Sequence, residues 1–265
     1  MLRDITLGQY YPINSIIHRL DPRLKIIASF AYIIALFIVK NIQSYIIVIG
    51  FVSLMILLSK VPPKYILKGL RPILLIIILT FGINIFMTQG EVIFQKGFIT
   101  ITREGIEMAV FMALRLIFLI IGTSLLTLTT SPIELTDGIE RVLNPFKRFG
   151  VPAHELAMMM TIALRFIPTL LEETDKIMKA QMARGADFES GNLVKRAKSL
   201  IPLLVPLFIG AFRRADDLAM AMEARCYRGG ENRTRMKQLE YHARDYIATV
   251  VIIGFVASIV AMRVL

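Results

Sequence analysis

Apolar residues along this chain gather into blocks, with nearly unbroken runs at 24–39, 45–58, 73–87, 108–128 and 246–262. Each approaches the ~20 residues that a helix needs to cross ~30 Å of hydrocarbon, although the second and third are short and lean on their flanks. The pattern predicts an all-α integral membrane protein with about five transmembrane helices. It also divides the chain into a four-span membrane region at 1–128, a large helical segment at 129–245 between spans four and five, and a last span at 246–265.

The 129–245 segment contains two further apolar stretches, 156–171 and 200–212, which compete as additional spans. The first is interrupted by Arg165 and Pro168, and the second is 13 residues long with Pro202 and Pro206. Both therefore read better as amphipathic helices at the interface. In the first, Leu156, Met160, Ala163, Ile167, Leu170, Thr174 and Ile177 follow alternating steps of four and three, the spacing of one helix face. The next steps reach Gln181 and Arg184. In the second, Leu204, Phe208, Ala211, Ala215, Leu218 and Met222 keep that rhythm, and the next step is Arg225. Each stripe ends on an arginine preceded by alanine. The two ends align at an offset of 41, pairing Asp175 with Asp216, Ala180 with Ala221 and Arg184 with Arg225. Gly185 follows the first arginine directly and Gly229-Gly230 the second at a short distance, which predicts left-handed C-terminal caps. A cation at a helix C-terminus is favoured by the macrodipole alone. Two of them on matched helices point further, to guanidinium groups presented for bidentate contacts in a partner's groove.

Composition agrees with a bilayer as solvent: 55% of the residues are hydrophobic and the mean hydropathy is +0.64. The net charge of +11 raises nucleic acid as a partner, but the placement of the charge favours topology. Most Lys and Arg fall before the first run, between the second and third, and in 129–245, whereas Lys40, Lys96, Arg103 and Arg263 lie on the other side. The positive-inside rule then puts the N-terminus and the 129–245 segment in the cytoplasm and the C-terminus outside. The first run lacks a cleavage-type pattern after it and is expected to be an anchor.

Catalytic chemistry finds little footing. His18, His154 and His242 lack metal-ligand spacing, Cys226 is the sole cysteine, and no phosphate-binding loop of the G-x-x-x-x-G-K-[ST] type occurs. Neither a metal nor a cofactor is expected. Arg115 lies inside the fourth run and either snorkels to the interface or pairs with a carbonyl. Arg165 and Glu172 share a helix face and are expected to bracket a structural ion-pair network with Glu173. Met158 to Met160, Met178, Met182, Met220 and Met222 suit either ordinary packing or a surface that adapts to changing partners.

Several motifs carry a resemblance along essentially the whole chain. They are His18-Arg19-Leu20-Asp21-Pro22-Arg23-Leu24-Lys25, Ser131-Pro132, Asn144-Pro145, Gly150-Val151-Pro152, Ala163-Leu164-Arg165-Phe166-Ile167-Pro168, Glu172-Glu173 and Gln181-Met182-Ala183-Arg184-Gly185. In this order they resemble the transmembrane T component of energy-coupling factor transporters, the CbiQ family. The resemblance implies a scaffold that joins a substrate-binding membrane S component to two ABC-type ATPases. It also implies two coupling helices that dock on those ATPases through Ala183-Arg184-Gly185 and Ala224-Arg225-Cys226, the second departing from glycine at its last position. Met160, Ile167, Leu204 and Phe208 are expected to face the S component.

The expected function is therefore that of a non-catalytic coupling subunit of an ATP-driven importer of vitamins or metal ions in the cell membrane. A self-sufficient secondary transporter is the alternative, but such proteins place ionisable groups near the midplane, and these runs contain no Asp or Glu well inside. A membrane enzyme ranks last, because no nucleophile, base and orienting group are arranged together.

Overall fold

The computed structural model describes residues 9–96, 99–188, 192–230 and 239–264. Its elements are α1 (Pro22–Ile38), α2 (Ile42–Ser59), α3 (Pro63–Leu70), a 3-10 turn (Arg71–Ile73), α4 (Leu74–Met87), β1 (Val92–Lys96), β2 (Ile99–Thr102), α5 (Arg103–Thr129), α6 (Pro132–Leu143), a 3-10 stretch (Asn144–Phe149), α7 (Ala153–Ala183), α8 (Leu193–Ser199), α9 (Ile201–Ala224) and α10 (Ala243–Val264). They group into two compact units, one of α1 to α6 with α10 and one of α7 to α9.

The helical class expected from the sequence is the observed one, and five candidate spans are found, but the set differs: the stretch at 156–171, read from the sequence as an interfacial helix, lies in a helix long and apolar enough to cross. Among the described residues, five helical stretches are long and apolar enough to cross a bilayer: Ile42–Ser59, Pro63–Met87, Arg103–Thr129, Ala153–Ala183 and Ala243–Arg263. Helix α1, with 17 residues, is shorter than these and lies at the lower end of the range of about 17 to 25 that spanning helices show. Helix α7 qualifies with a mean hydropathy of 1.2, against 2.1 to 2.3 for the others. A short antiparallel hairpin, β1 with β2, joins α4 to α5 and was not foreseen in the hydropathy pattern.

The first unit is held by α1, α2, α5 and α10. Tyr32, Ala35 and Leu36 of α1, Tyr45, Val48 and Val52 of α2, and Phe255 and Ile259 of α10 form one buried cluster, on which Phe111, Leu114, Phe118 and Ile121 of α5 pack. Hydroxyl groups inside hydrocarbon need partners, and two tyrosines find them on the α5 backbone. The Tyr32 hydroxyl donates to the Phe118 carbonyl at 2.9 Å and the Tyr45 hydroxyl to the Phe111 carbonyl at 3.2 Å. Gly122 makes room for this arrangement, since a Cβ there would lie 2.2 Å from the Tyr32 ring.

Arg115 resolves to the second of its two sequence readings. Its Nη2 donates to the carbonyl of Val39, the residue that caps the C-terminus of α1, at 3.1 Å. The rings of Phe37 and Phe111 lie 5.6 and 5.4 Å from the guanidinium carbon. The cation thus serves the carbonyl end of a neighbouring helix and shelters between two aromatic faces.

At the opposite end of α1, buried charges join the two ends of the chain. Asp21 caps α1, accepting from the Arg23 N–H at 2.8 Å, and its carboxylate is gripped by the Arg23 guanidinium at 2.7 Å. The Asp21 N–H donates to Asp245 Oδ1 at 2.9 Å, while Asp245 Oδ2 accepts from the His242 N–H at 2.8 Å and so caps α10. Arg23 reaches the Leu239 carbonyl at 3.0 Å and stacks over Tyr241. Lys25 is also buried and donates to the carbonyls of His18 and Thr129, fastening α1 to the end of α5.

Two outcomes follow from this knot. Replacing Asp245 with Ala orphans two backbone donors, at Asp21 and His242. It is expected to destabilise the chain by about 3 kcal/mol, read as a lowered unfolding midpoint in detergent. His18 sits beside the knot in its neutral form, with Nδ1 accepting from the Ser15 hydroxyl at 2.7 Å and Nε2–H donating to the Tyr11 carbonyl at 3.0 Å. Burial lowers its pKa from the usual 6.5, so the folded state resists a proton that the unfolded state accepts. Its contribution is complete above pH 6.5 and is lost as the pH falls below that value. A His18→Gln chain should show a shallower loss of stability between about pH 6.5 and 5, measured by thermal unfolding across that window.

Candidate functional site: two arginine-bearing helix caps

Helices α7 and α9 form the second unit and run antiparallel. His154, at the start of α7, hydrogen-bonds Tyr227 beyond the end of α9 at 3.2 Å, and the Tyr227 hydroxyl donates to Met158 Sδ at 3.1 Å. Further along, Ile162, Phe166 and Leu170 of α7 face Ala211, Ala215, Leu218 and Met222 of α9. Arg214 then meets Glu173 at 2.5 Å.

Both helices end in the same backbone geometry. At α7, Arg184 is the capping residue, Gly185 takes φ +87°, its N–H bonds the Met182 carbonyl at 3.0 Å, and the Ala186 N–H bonds Gln181 at 3.0 Å. At α9, Arg225 caps, Cys226 takes φ +55°, its N–H bonds the Glu223 carbonyl at 2.8 Å, and the Tyr227 N–H bonds Met222 at 3.0 Å. These paired bonds satisfy carbonyls that the helix leaves open. The departure from glycine at Cys226 therefore leaves the turn intact. The expectation that Gly229-Gly230 closes α9 is corrected: Cys226 itself occupies the left-handed position. Gly230 has another task, lying against His154, whose ring would be 2.4 Å from a Cβ placed there.

Ala183, Arg184 and Gly185 lie together and exposed at one tip, and Ala224, Arg225 and Cys226 lie together and exposed at the other. The tips are not brought to one place. Arg184 is 11 residues beyond Glu173 on α7, and Arg225 is 11 residues beyond Arg214 on α9. Because the helices are antiparallel, the tips point away from each other, on the order of 30 Å apart at ~1.5 Å per residue. The Glu173–Arg214 pair sits midway, and its two residues are separated by the same 41 positions as the offset seen in the sequence.

The other expected residues scatter along this pair. Met160 and Ile167 are half-buried on α7, and Leu204 and Phe208 are 45% and 62% exposed on the N-terminal half of α9. None of the four lines the cleft between the helices. On α7 the face used is that of Ile162, Phe166 and Leu170, about a quarter turn from the periodic stripe at ~100° per residue. Among the described residues Arg165 forms no ion pair with Glu172, and the network runs across helices through Glu173 to Arg214. Sequence reasoning also passed over Tyr227, Asp21 and Asp245. The only sequence signal among them is the charge-rich motif at 18–25.

A bundle of apolar helices followed by two long helices with matched arginine caps defines a multi-pass membrane protein. The sequence pattern of the CbiQ family, described as a cobalt transport protein, matches residues 13–236. The chain is 61% identical to the energy-coupling factor transporter transmembrane protein EcfT of Clostridium kluyveri, over 100% of this chain and 98% of that one. Identity is 65% to the EcfT protein of Thermosediminibacter oceani, over 93% of each chain. It is 48% to that of Bacillus subtilis, over 99% and 100%. The chain belongs to the CbiQ family, as a transmembrane component of energy-coupling factor transporters, and is a non-catalytic subunit.

The left-handed caps generate a paired outcome. A non-glycine residue at positive φ is strained, so Cys226→Gly should stabilise by about 1 kcal/mol, whereas Gly185→Ala should cost about the same with no steric clash to add. Opposite shifts of the thermal midpoint in detergent check both.

Proposed function

We propose that this chain is the coupling subunit of an ATP-driven importer of vitamins or metal ions, seating one ABC-type ATPase on each arginine cap. The observation that carries this reading is the matched pair of caps, equal in backbone geometry and equidistant from Glu173–Arg214. Two like ATPases related by a two-fold axis would meet two like tips. At each tip, an exposed guanidinium on a rigid helix can form bidentate bonds to carboxylates or carbonyls in a groove. Docking there links movement of the ATPases to displacement of α7 and α9.

The S component, which binds the substrate, is the second partner. Helix surfaces left apolar in this chain support its docking, including Leu204, Phe208, Ile209 and Phe212 of α9. We place Met160 and Ile167 on the same contact. The bilayer surrounds the first unit. The charge distribution supports an N-terminus and a 129–245 segment in the cytoplasm and a C-terminus outside. In that orientation 1–128 supplies four spans, 129–245 the coupling segment and 246–265 the last span.

The experiment is substrate uptake and ATPase co-purification with Arg184→Ala, Arg225→Ala and both together. Each single change should weaken ATPase retention by about tenfold, as loss of a desolvated charged contact does, and the double change should abolish uptake. Unchanged uptake and unchanged retention in the double variant would overturn the proposal.

A further inference from the structure

The first unit contains a cavity of about 440 Å³ that the coupling role does not use. Leu24 and Ala28 of α1, Met55 of α2, Leu125 of α5, and Val251 and Phe255 of α10 contribute to its wall. Its size falls within the ~300 to 1,000 Å³ of small-molecule sites, and it is open on one side. Two cations stand in this mainly apolar wall, Lys25 and Arg244. Lys25 places two of its donors on the carbonyls of His18 and Thr129. Arg244 Nε is buried and has no hydrogen-bond partner among the described residues. Arg244 lines a slot that is otherwise mainly apolar, and a guanidinium so placed in a membrane helix bundle suits an anion attached to an apolar body.

The polar end of the slot lies where α1 and α10 begin, beside the Asp21–Asp245 knot, and its apolar end runs along Tyr32, Phe51 and Phe255 in the core. The helix N-termini add positive potential at that end, against the carboxylates of Asp21 and Asp245, which are already engaged by backbone N–H groups and Arg23. We propose that this cavity holds an acyl chain of an anionic phospholipid, with Arg244 taking the lipid phosphate. Basic pockets between membrane helices favour such headgroups through the same combination of charge and apolar contact. The lipid completes the wall between α1 and α10 and gives the Arg244 guanidinium an anionic neighbour.

The test uses the full chain reconstituted with equal parts phosphatidylglycerol and phosphatidylcholine, then released from mild detergent for native mass spectrometry. Retained phosphatidylglycerol should exceed phosphatidylcholine by about fivefold, the preference expected from one cation near the phosphate. Arg244→Gln should bring the ratio close to one while leaving the thermal midpoint nearly unchanged. Ala248→Phe fills the slot and should remove the retained lipid, and Ser29→Leu serves the same purpose from α1 if the first variant does not fold. Equal retention of both lipids by the native chain, an unchanged ratio in Arg244→Gln, or full lipid retention in the filled variants would each overturn the proposal. Two further arms separate other occupants. Displacement by millimolar inorganic phosphate would assign the site to a free anion, and absence of lipid from the intact transporter would assign it to a partner's helix.

Discussion

The membrane unit depends on one carboxylate. Asp245 is 1% exposed and accepts from two backbone N–H groups, one at the start of the first helix and one at the start of the last. These residues are separated by most of the chain, so this single side chain closes a loop that no local interaction could close. A charge this deep is tolerated only when its acceptor capacity is used and cations stand near it. Arg23 and Lys25 are those cations, and each is itself tied to a third element, the backbone at Leu239 and the end of α5. The apolar cluster of Tyr32, Leu36, Val48 and Ile259 supplies the bulk of the packing. The polar knot supplies its register, because apolar contacts in a bilayer discriminate poorly between one helix rotation and another.

The second unit rests on a different economy of contacts. Between α7 and α9 the seam sets Ile162, Phe166 and Leu170 against Ala211, Ala215, Leu218 and Met222, with Glu173 and Arg214 as its central charged pair. Gly210 keeps that centre narrow: a Cβ there would lie 3.2 Å from Glu173 Oε1. Pinning the pair at its middle leaves both C-terminal ends free of each other, which is the arrangement needed if each end is to meet a separate partner. Near His154 the second tip is braced by Tyr227, so its arginine is carried on a turn fixed from both sides.

Much of this was legible in the sequence, and the failures have definite causes. Both stripes lead to arginines that turned out to cap their helices, because the periodicity of a long amphipathic helix survives to its last turn. On α7 the face packed on α9 is that of Ile162, Phe166 and Leu170, of which only Leu170 belongs to the stripe. That helix is apolar over more than one face, so spacing alone cannot say which face meets α9 and which is left for a partner. The cap of α9 was sought at Gly229-Gly230 because glycine is the usual occupant of the left-handed position, and Cys226 took it at a cost in strain. The partners of Arg115 and Asp245 are 76 and 224 residues away, distances over which a hydropathy pattern carries no information. The hairpin of β1 and β2 was overlooked since a few alternating residues between two spans look the same as a connecting loop.

Strain at Cys226 bears on how the proposed coupling would work. A glycine at this position would relax the turn but would also widen the range of conformations open to it, and Arg225 immediately precedes it. With cysteine, the left-handed conformation is held by the Glu223 and Met222 carbonyl bonds and by Tyr227 packing on α7, so the direction of the guanidinium is set by the helix pair. The first tip reaches the same pattern of hydrogen bonds with glycine, which takes the left-handed position without strain. Two caps with equal hydrogen bonds thus differ in the residue that closes them and in the strain it carries. Under the proposed function, the second tip would present Arg225 on a turn whose direction is set by packing on α7, so a push from its ATPase would pass to both helices at once.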